Sequence, residues 1–334
     1  MKKTVSTFAL AILATLSVTG CKKKKDKEPA PTASASASPS ASASASPSAS
    51  ASPTGSASPS ASASASPTPS PAAPALAPGA FPFEFPIEDK TEALAGESVF
   101  YVNMKLIRNA LADGKTSFQT QYLLGTMKTP GDKESGVKFV SEDMIPNSGI
   151  VRIAPDQTAK KGDIIIGEWG ASMFRGIVVD AKDPKAPKAI FIGLSHDNPA
   201  KADDGKTGIG QFAFQLKAGE WNHIENAYDP GTSCALKVDK GYKLVQVFRA
   251  SGDKLIGTQF TEFKAVPKAD CIALPVKPTY KVGTVVWAPW VGTMTKGKIT
   301  KVDTGRYNIK WESGGSDEMI AFGDVIDEAG LPPL

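Results

Sequence analysis

Lys161-Gly162-Asp163-Ile164-Ile165-Ile166-Gly167-Glu168-Trp169 aligns without a gap on Val282-Gly283-Thr284-Val285-Val286-Trp287-Ala288-Pro289-Trp290. The register persists beyond it, with Met173-Phe174-Arg175-Gly176-Ile177-Val178 lying over Met294-Thr295-Lys296-Gly297-Lys298-Ile299. Each copy reads as a β-branched strand, a tight loop and a second strand, so the chain repeats one supersecondary unit. A third strand follows in each, at Ala189 to Leu194 and at Arg306 to Trp311. A fainter start, Gly96-Glu97-Ser98-Val99-Phe100-Tyr101, is a candidate third copy.

Outward from the repeat, short apolar runs recur between Gly, Pro, Asp and Lys, among them Ser98 to Asn103, Gly149 to Ile153, Gln211 to Leu216 and Lys243 to Phe248. Strands of this length separated by turn residues indicate an all-β chain of small barrels or sandwiches. Only Lys105 to Asp113 and Asp327 to Gly330 read as helical. Ordered structure is expected from Phe81-Pro82-Phe83-Glu84-Phe85-Pro86 onward. The expected division is an N-terminal β-rich module at 80–157, a repeat at 158–230, a β-rich connecting segment at 231–277 and a final module at 278–334.

The last copy, Lys281 to Ile326, resembles a Tudor domain of the SH3-like barrel class. The likeness rests on Val286, Ala288 and Trp290 after a Gly, on Tyr307, Ile309 and Trp311 along one strand, and on Asp324 and Ile326 at the close. It implies a strongly bent five-stranded barrel and, in ligand-reading members, an aromatic cage for methylated Lys or Arg. The cage positions fall on Trp290, Thr295, Trp311 and Gly314, so two of four walls are aromatic. A cation cage works by enclosing charge in π faces, and half a cage argues against methyl-lysine reading. In the middle copy Trp169 and Phe174 keep the first two positions, and Leu194 is expected at the third. What the resemblance leaves is a shallow aromatic face for a peptide or glycan, with Trp287, Trp290, Tyr307, Trp311, Trp169 and Phe174 as candidates. Tyr307, Ile309 and Trp311 share one strand face, which is equally the pattern of a core. Trp287 is out of phase with Val286 and Ala288 and is expected to face solvent.

The N-terminal part carries an address. Lys2 and Lys3 precede an apolar stretch, Phe8 to Val18, of roughly ten residues, half of what a membrane-crossing helix needs. Val18-Thr19-Gly20-Cys21 resembles the lipobox of bacterial lipoprotein signals. The resemblance implies a signal peptide at 1–20 and a diacylated Cys21 as mature N-terminus. More than one acyl chain, at about 0.8 kcal/mol per buried methylene, makes such attachment effectively permanent. Lys22, where Asp would be the enterobacterial retention signal, points to the outer membrane, and Lys22 to Lys25 suit either anionic headgroups or a solvated spacer.

From 21 to 79 the composition collapses to Ala, Ser, Pro and Thr after the lysines. Such a stretch lacks the apolar area to offset its ordering entropy, and its prolines block helix and ladder alike. It is expected to be a disordered stalk, about 180 Å if fully polyproline II and about 45 Å as a coil. With Cys21 lipidated, the remaining two of three cysteines, Cys234 and Cys271, are expected to pair in an oxidising compartment.

Other chemistry is excluded by spacing. Ser195-His196-Asp197 cannot be a triad, because adjacent side chains do not converge on one atom. Asp203-Asp204-Gly205 lacks the ligand spacing of a calcium loop, and Gly205-Lys206-Thr207 lacks the earlier glycine of a phosphate loop. A net charge of +4, with few arginines, is no nucleic-acid footprint. The whole describes an all-β protein of tandem small SH3-like (Tudor-like) barrels on a disordered Ala/Ser/Pro-rich stalk. Its expected function is a non-enzymatic, cofactor-free, lipid-anchored cell-envelope protein that binds a peptide, glycan or protein. The alternatives are a structural tether and, more remotely, an envelope hydrolase.

Overall fold

The computed structural model describes residues 75–169, 172–192 and 213–332, with the backbone alone at Trp169 and Ser172. The leader, Cys21, the Ala/Ser/Pro stretch to residue 74, Leu194, Ser195-His196-Asp197 and Asp203 to Thr207 lie outside the described residues.

The described chain is mostly strand. The first module comprises β1 (Ser98–Val102), β2 (Tyr122–Thr129), β3 (Glu134–Lys138), β4 (Glu142–Pro146) and β5 (Ile150–Arg152). The second comprises β6 (Ile164–Trp169), β7 (Ser172–Asp180), β8 (Lys188–Phe191), β9 (Ala213–Gln215) and β10 (Trp221–His223). The third comprises β11 (Ser233–Val238), β12 (Gly241–Ser251), β13 (Lys254–Gln259), β14 (Glu262–Pro267) and β15 (Cys271–Ala273). The fourth comprises β16 (Val285–Trp290), β17 (Thr293–Asp303), β18 (Arg306–Trp311), β19 (Glu318–Ala321) and β20 (Ile326–Asp327). Every sheet has one order: four strands in meander, with the fifth returning beside the first. All pairings are antiparallel.

Each second strand carries one register shift, at Met127/Thr129, Val178/Asp180, Val247/Arg249 and Ile299/Lys301. A bulge bends and twists its strand, which lets so short a sheet curl over its own core. Three of these strands hold a glycine opposite the central buried residue of the first strand: Gly125 opposite Val99, Gly176 opposite Ile165, Gly297 opposite Val286. At Gly297 a Cβ would lie 2.4 Å from Ile309 Cγ2, so the bend needs the missing side chain.

The segment 231–277, expected to connect, is therefore a complete module with the same strand order. Its signature is hidden because Val245 stands opposite Cys234, and the glycine has moved across to Gly257, where a Cβ would meet Gln246 O at 2.2 Å. The candidate copy at Gly96 is likewise a full module, and helix α1 (Met104–Ala112) replaces its first tight turn. Met104 and Ile107 are buried on α1, and Arg108, one turn after Met104, pairs with Asp143 at 2.6 Å.

The modules pack together through the outer faces of their first strands. Ile165 fills the second module, whereas Ile164 and Ile166 point the other way, into a common cluster with Val99, Phe100, Val102, Phe248 and Phe263. This two-sided burial explains the unbroken Ile run. Tyr122 of the first module stacks on Phe248 of the third at 4.4 Å and hydrogen-bonds Thr258 at 2.9 Å. The aromatic segment Phe81 to Phe85 lies in the same seam. Phe81 and Phe83 close on Phe263, Glu84 pairs with Lys254, and Glu88 accepts from Ser251.

Cys234 and Cys271 are bonded, with Cα atoms 5.6 Å apart. They occupy the place where first and last strands meet. The other modules pack Tyr101 opposite Ile150 and Gly167 opposite Trp221 at that closure, as Leu236 lies opposite Cys271 here. The bond thus staples the third module shut.

Candidate functional site

The fourth module was read as carrying the ligand face. Trp290 ends β16, and Trp311 lies on β18 directly opposite Gly297. Their rings stack 5.8 Å apart at 22°. Trp311 is 2% exposed and Tyr307 is fully buried, so both belong to the core, the second of the two readings their shared strand face allowed. The Tyr307 hydroxyl donates to Pro278 O at 2.8 Å and accepts from Tyr280 N at 3.0 Å, which fixes it as a structural tyrosine. Burial raises its pKa, against the hydrogen bond from Tyr280 N, which lowers it. Two near-parallel rings at that spacing leave no gap for an ion, and Thr295 and Gly314 supply no further π face. The fourth module thus holds a packed aromatic pair in place of a cage, Trp290 being the partly exposed member of the pair. Gly314 and Gly315, both in the left-handed region, bring the loop after β18 beside the Trp290 ring.

Trp287 does not face open solvent. Its side of β16 packs on Ala235, Tyr242 and Leu274 of the third module and its linker, together with Met294, Ile326 and Leu331. The indole Nε1 is buried without a hydrogen-bond partner, and Lys296 Nζ covers the ring at 5.3 Å. The alternation was sound; what periodicity cannot tell is that a neighbouring module covers the outer face.

In the second module Phe191 lies opposite Gly176, as Trp311 lies opposite Gly297, so it holds the third aromatic position that was assigned to Leu194. Phe191 is fully buried, and its ring centroid lies 6.0 Å from Phe174 and 5.3 Å from Phe214. Phe174 is partly buried against this core.

Three features were missed in the sequence. The first is a buried ion pair joining modules: Arg175 of β7 meets Asp324, before β20, at 2.7 Å, and Ser233 of β11 donates to the same carboxylate at 2.6 Å. The aligned Lys296 instead pairs within its own module, with the more exposed Glu328. The second is a groove of about 600 Å³ between the second module and the 274–277 linker, lined by Asp163, His223, Glu225, Leu274, Val276 and Lys277. His223 Nε2 lies 3.1 Å from Thr158 O and Nδ1 3.9 Å from Asp163, so the ring is held in place by structural contacts. Among the described residues no group of three His, Cys, Asp or Glu is placed to hold a metal. The third is a pair of exposed apolar turn residues, Phe260 and Val291, at 78% and 84% exposure.

No helix among the described residues is long and apolar enough to cross a membrane. No known family and no curated protein matches the chain. Among solved structures, the four MBT repeats of Drosophila melanogaster Sfmbt, crystallised with a methyl-lysine peptide, align over 71% of this chain and 89% of that one. Identity is 6% and the TM-score 0.16, a likeness too slight to carry any argument.

Proposed function

We propose that this chain is a lipid-anchored protein of the bacterial cell envelope. Its four modules are read as SH3-like barrels, tethered to the membrane through the Ala/Ser/Pro stalk and presented to a peptide, glycan or protein partner. The lipobox ending at Cys21 supports the anchor, and the Cys234–Cys271 bond supports an oxidising, exported location. Binding without catalysis is part of the same proposal.

The observation that carries the binding claim is the division of labour among the fourth module's aromatics. Tyr307 and Trp311 are buried in the core and the half-buried Trp287 packs on the third module, whereas the half-buried Trp290 borders the Gly314-Gly315 loop. Interface tryptophans commonly contribute about 2 kcal/mol or more when truncated. Trp290→Ala in the mature chain should therefore weaken capture of its partner from envelope extract at least tenfold. Its melting temperature should move far less than that of Trp311→Ala. Full capture by Trp290→Ala would favour the second reading, a tether without a ligand site, which the burial of Tyr307 and Trp311 supports.

A further inference from the structure

Among the described residues, four other than glycine sit in the left-handed region: Lys133, Tyr228, Phe260 and Val291. Two of them have tertiary reasons. Lys133 donates its N–H to Asp89 O and accepts from Asn147 N, and Tyr228 donates its hydroxyl to Cys271 O beneath Lys268. Phe260, φ 57°, and Val291, φ 47°, have none, for both side chains project into solvent from two-residue turns. Phe260-Thr261 joins β13 to β14, and Val291-Gly292 joins β16 to β17.

Such turns call for Asn, Asp or Gly, and a β-branched residue at positive φ is a genuine outlier. The two tips belong to different modules yet adjoin. A Cβ at Gly292 would lie 3.6 Å from the Phe260 ring. An exposed apolar knuckle is thus assembled across the seam of the third and fourth modules, from residues that neither turn needs.

Its size limits what it can meet. One phenyl and one isopropyl group expose on the order of 300 Å², well short of the roughly 800 Å² that each partner gives to a standard protein interface. An apolar tip of this area, with Trp290 next to Val291, suits shallow entry into a lipid headgroup layer, where aromatic rings settle readily. The chain outside the described residues puts that surface within reach. Between Cys21 and Ala75 lie 53 residues, the difference of 74 and 21. A coil of that length would span about 40 Å, so a head anchored at Cys21 would meet its own membrane repeatedly and a weak contact would suffice.

We infer that the Phe260–Val291 knuckle is a membrane-contact point, by which the tethered head rests on a lipid surface. The inference rests on the proposed anchor, and the experiment separates the two. With Cys234 and Cys271 bonded, Cys21 is the one remaining thiol. The mature chain, 21–334, is coupled through it to a maleimide phospholipid in vesicles of phosphatidylethanolamine and phosphatidylglycerol that also carry dansyl headgroups. Attachment then no longer depends on natural lipidation. Energy transfer from tryptophan to dansyl reports how close the head lies, because all five tryptophans follow the stalk.

The chain should transfer at least twice as efficiently as Phe260→Asn/Val291→Asn. That variant should melt at or above the wild-type temperature, since Asn tolerates the left-handed turn. Val291→Asn alone should fall between the two, which keeps the test informative if the double variant folds poorly. Equal transfer in all three overturns the inference. So does unchanged transfer with lost capture of an envelope protein, which would make a protein the occupant.

Discussion

Asp324→Ala should be among the most damaging single substitutions in the folded part. Arg175 and Asp324 are 8% and 11% exposed, and their 2.7 Å contact joins the second module to the fourth. Truncating Asp324 leaves the guanidinium buried with only long contacts, 3.4 Å to Gly231 O and 3.4 Å to Ser233 Oγ, and its Nε already lacks a partner. It also takes away the acceptor of the Ser233 hydroxyl. Breaking a buried pair from one side typically costs about 3–5 kcal/mol, whereas replacing both partners with apolar residues is often near neutral. At roughly 2–4 °C per kcal/mol for a domain of this size, the melting temperature should fall by about 10 °C. Arg175→Met/Asp324→Leu should recover most of that loss. Calorimetry on the two single variants and the double completes the cycle. A fall below about 3 °C for Asp324→Ala, or a double variant no better than the single, would refute the idea that an uncompensated charge sets the cost.

Trp287→Ala should lower stability by about 2–3 kcal/mol, somewhat under the range for a fully buried tryptophan, because the ring fills the seam between two modules; chemical denaturation would show this, and a surface-like change below 0.5 kcal/mol would contradict the packing. Reducing the Cys234–Cys271 bond releases a loop of sequence separation 37, which chain entropy values at about 4 kcal/mol. The midpoint of urea unfolding should drop accordingly under reductant, and an unchanged midpoint would deny the staple. Glu97 is held at a pKa of about 2, first by its bond with Arg152 and then by the Leu94 N–H. Because the folded pKa lies below the ordinary value of 4.5, its stabilisation is complete above that pH and is lost as pH falls toward 2. Glu97→Gln should therefore flatten the acid limb of the stability curve; an identical acid limb in both proteins would remove Glu97 from the explanation.

Much of the strand content was legible because it obeys local rules. Arg306 to Trp311 alternates cleanly and is a strand over the same six residues. Lys105 to Asp113 has helical spacing, and the helix is Met104–Ala112. The repeat was visible where glycine marks the bend, at Gly176 and Gly297, and invisible where Val245 replaced it and Gly257 took over from the facing strand. Strands such as Glu134-Ser135-Gly136-Val137-Lys138 carry too little apolar pattern to be read alone, because the neighbouring strands supply their packing.

The candidate site was harder. Periodicity separated the two faces of β16 but could not show that the third module covers Trp287. The Arg175–Asp324 pair spans 149 positions, the difference of 324 and 175, and no local signal foretells such a contact. Phe260 and Val291 were readable only as turn residues of the wrong type, a departure that gains meaning once their exposure is known.

The central claim, that this is a membrane-tethered envelope protein, runs through one sulfur atom. The most direct measurement is metabolic labelling with palmitate, followed by detergent-phase partition, of the wild-type chain and Cys21→Ala expressed in a lipoprotein-processing bacterium. Wild type should take up label and enter the detergent phase, while Cys21→Ala should persist as an unlabelled precursor. Label on the variant, or none on the wild type, would contradict the account.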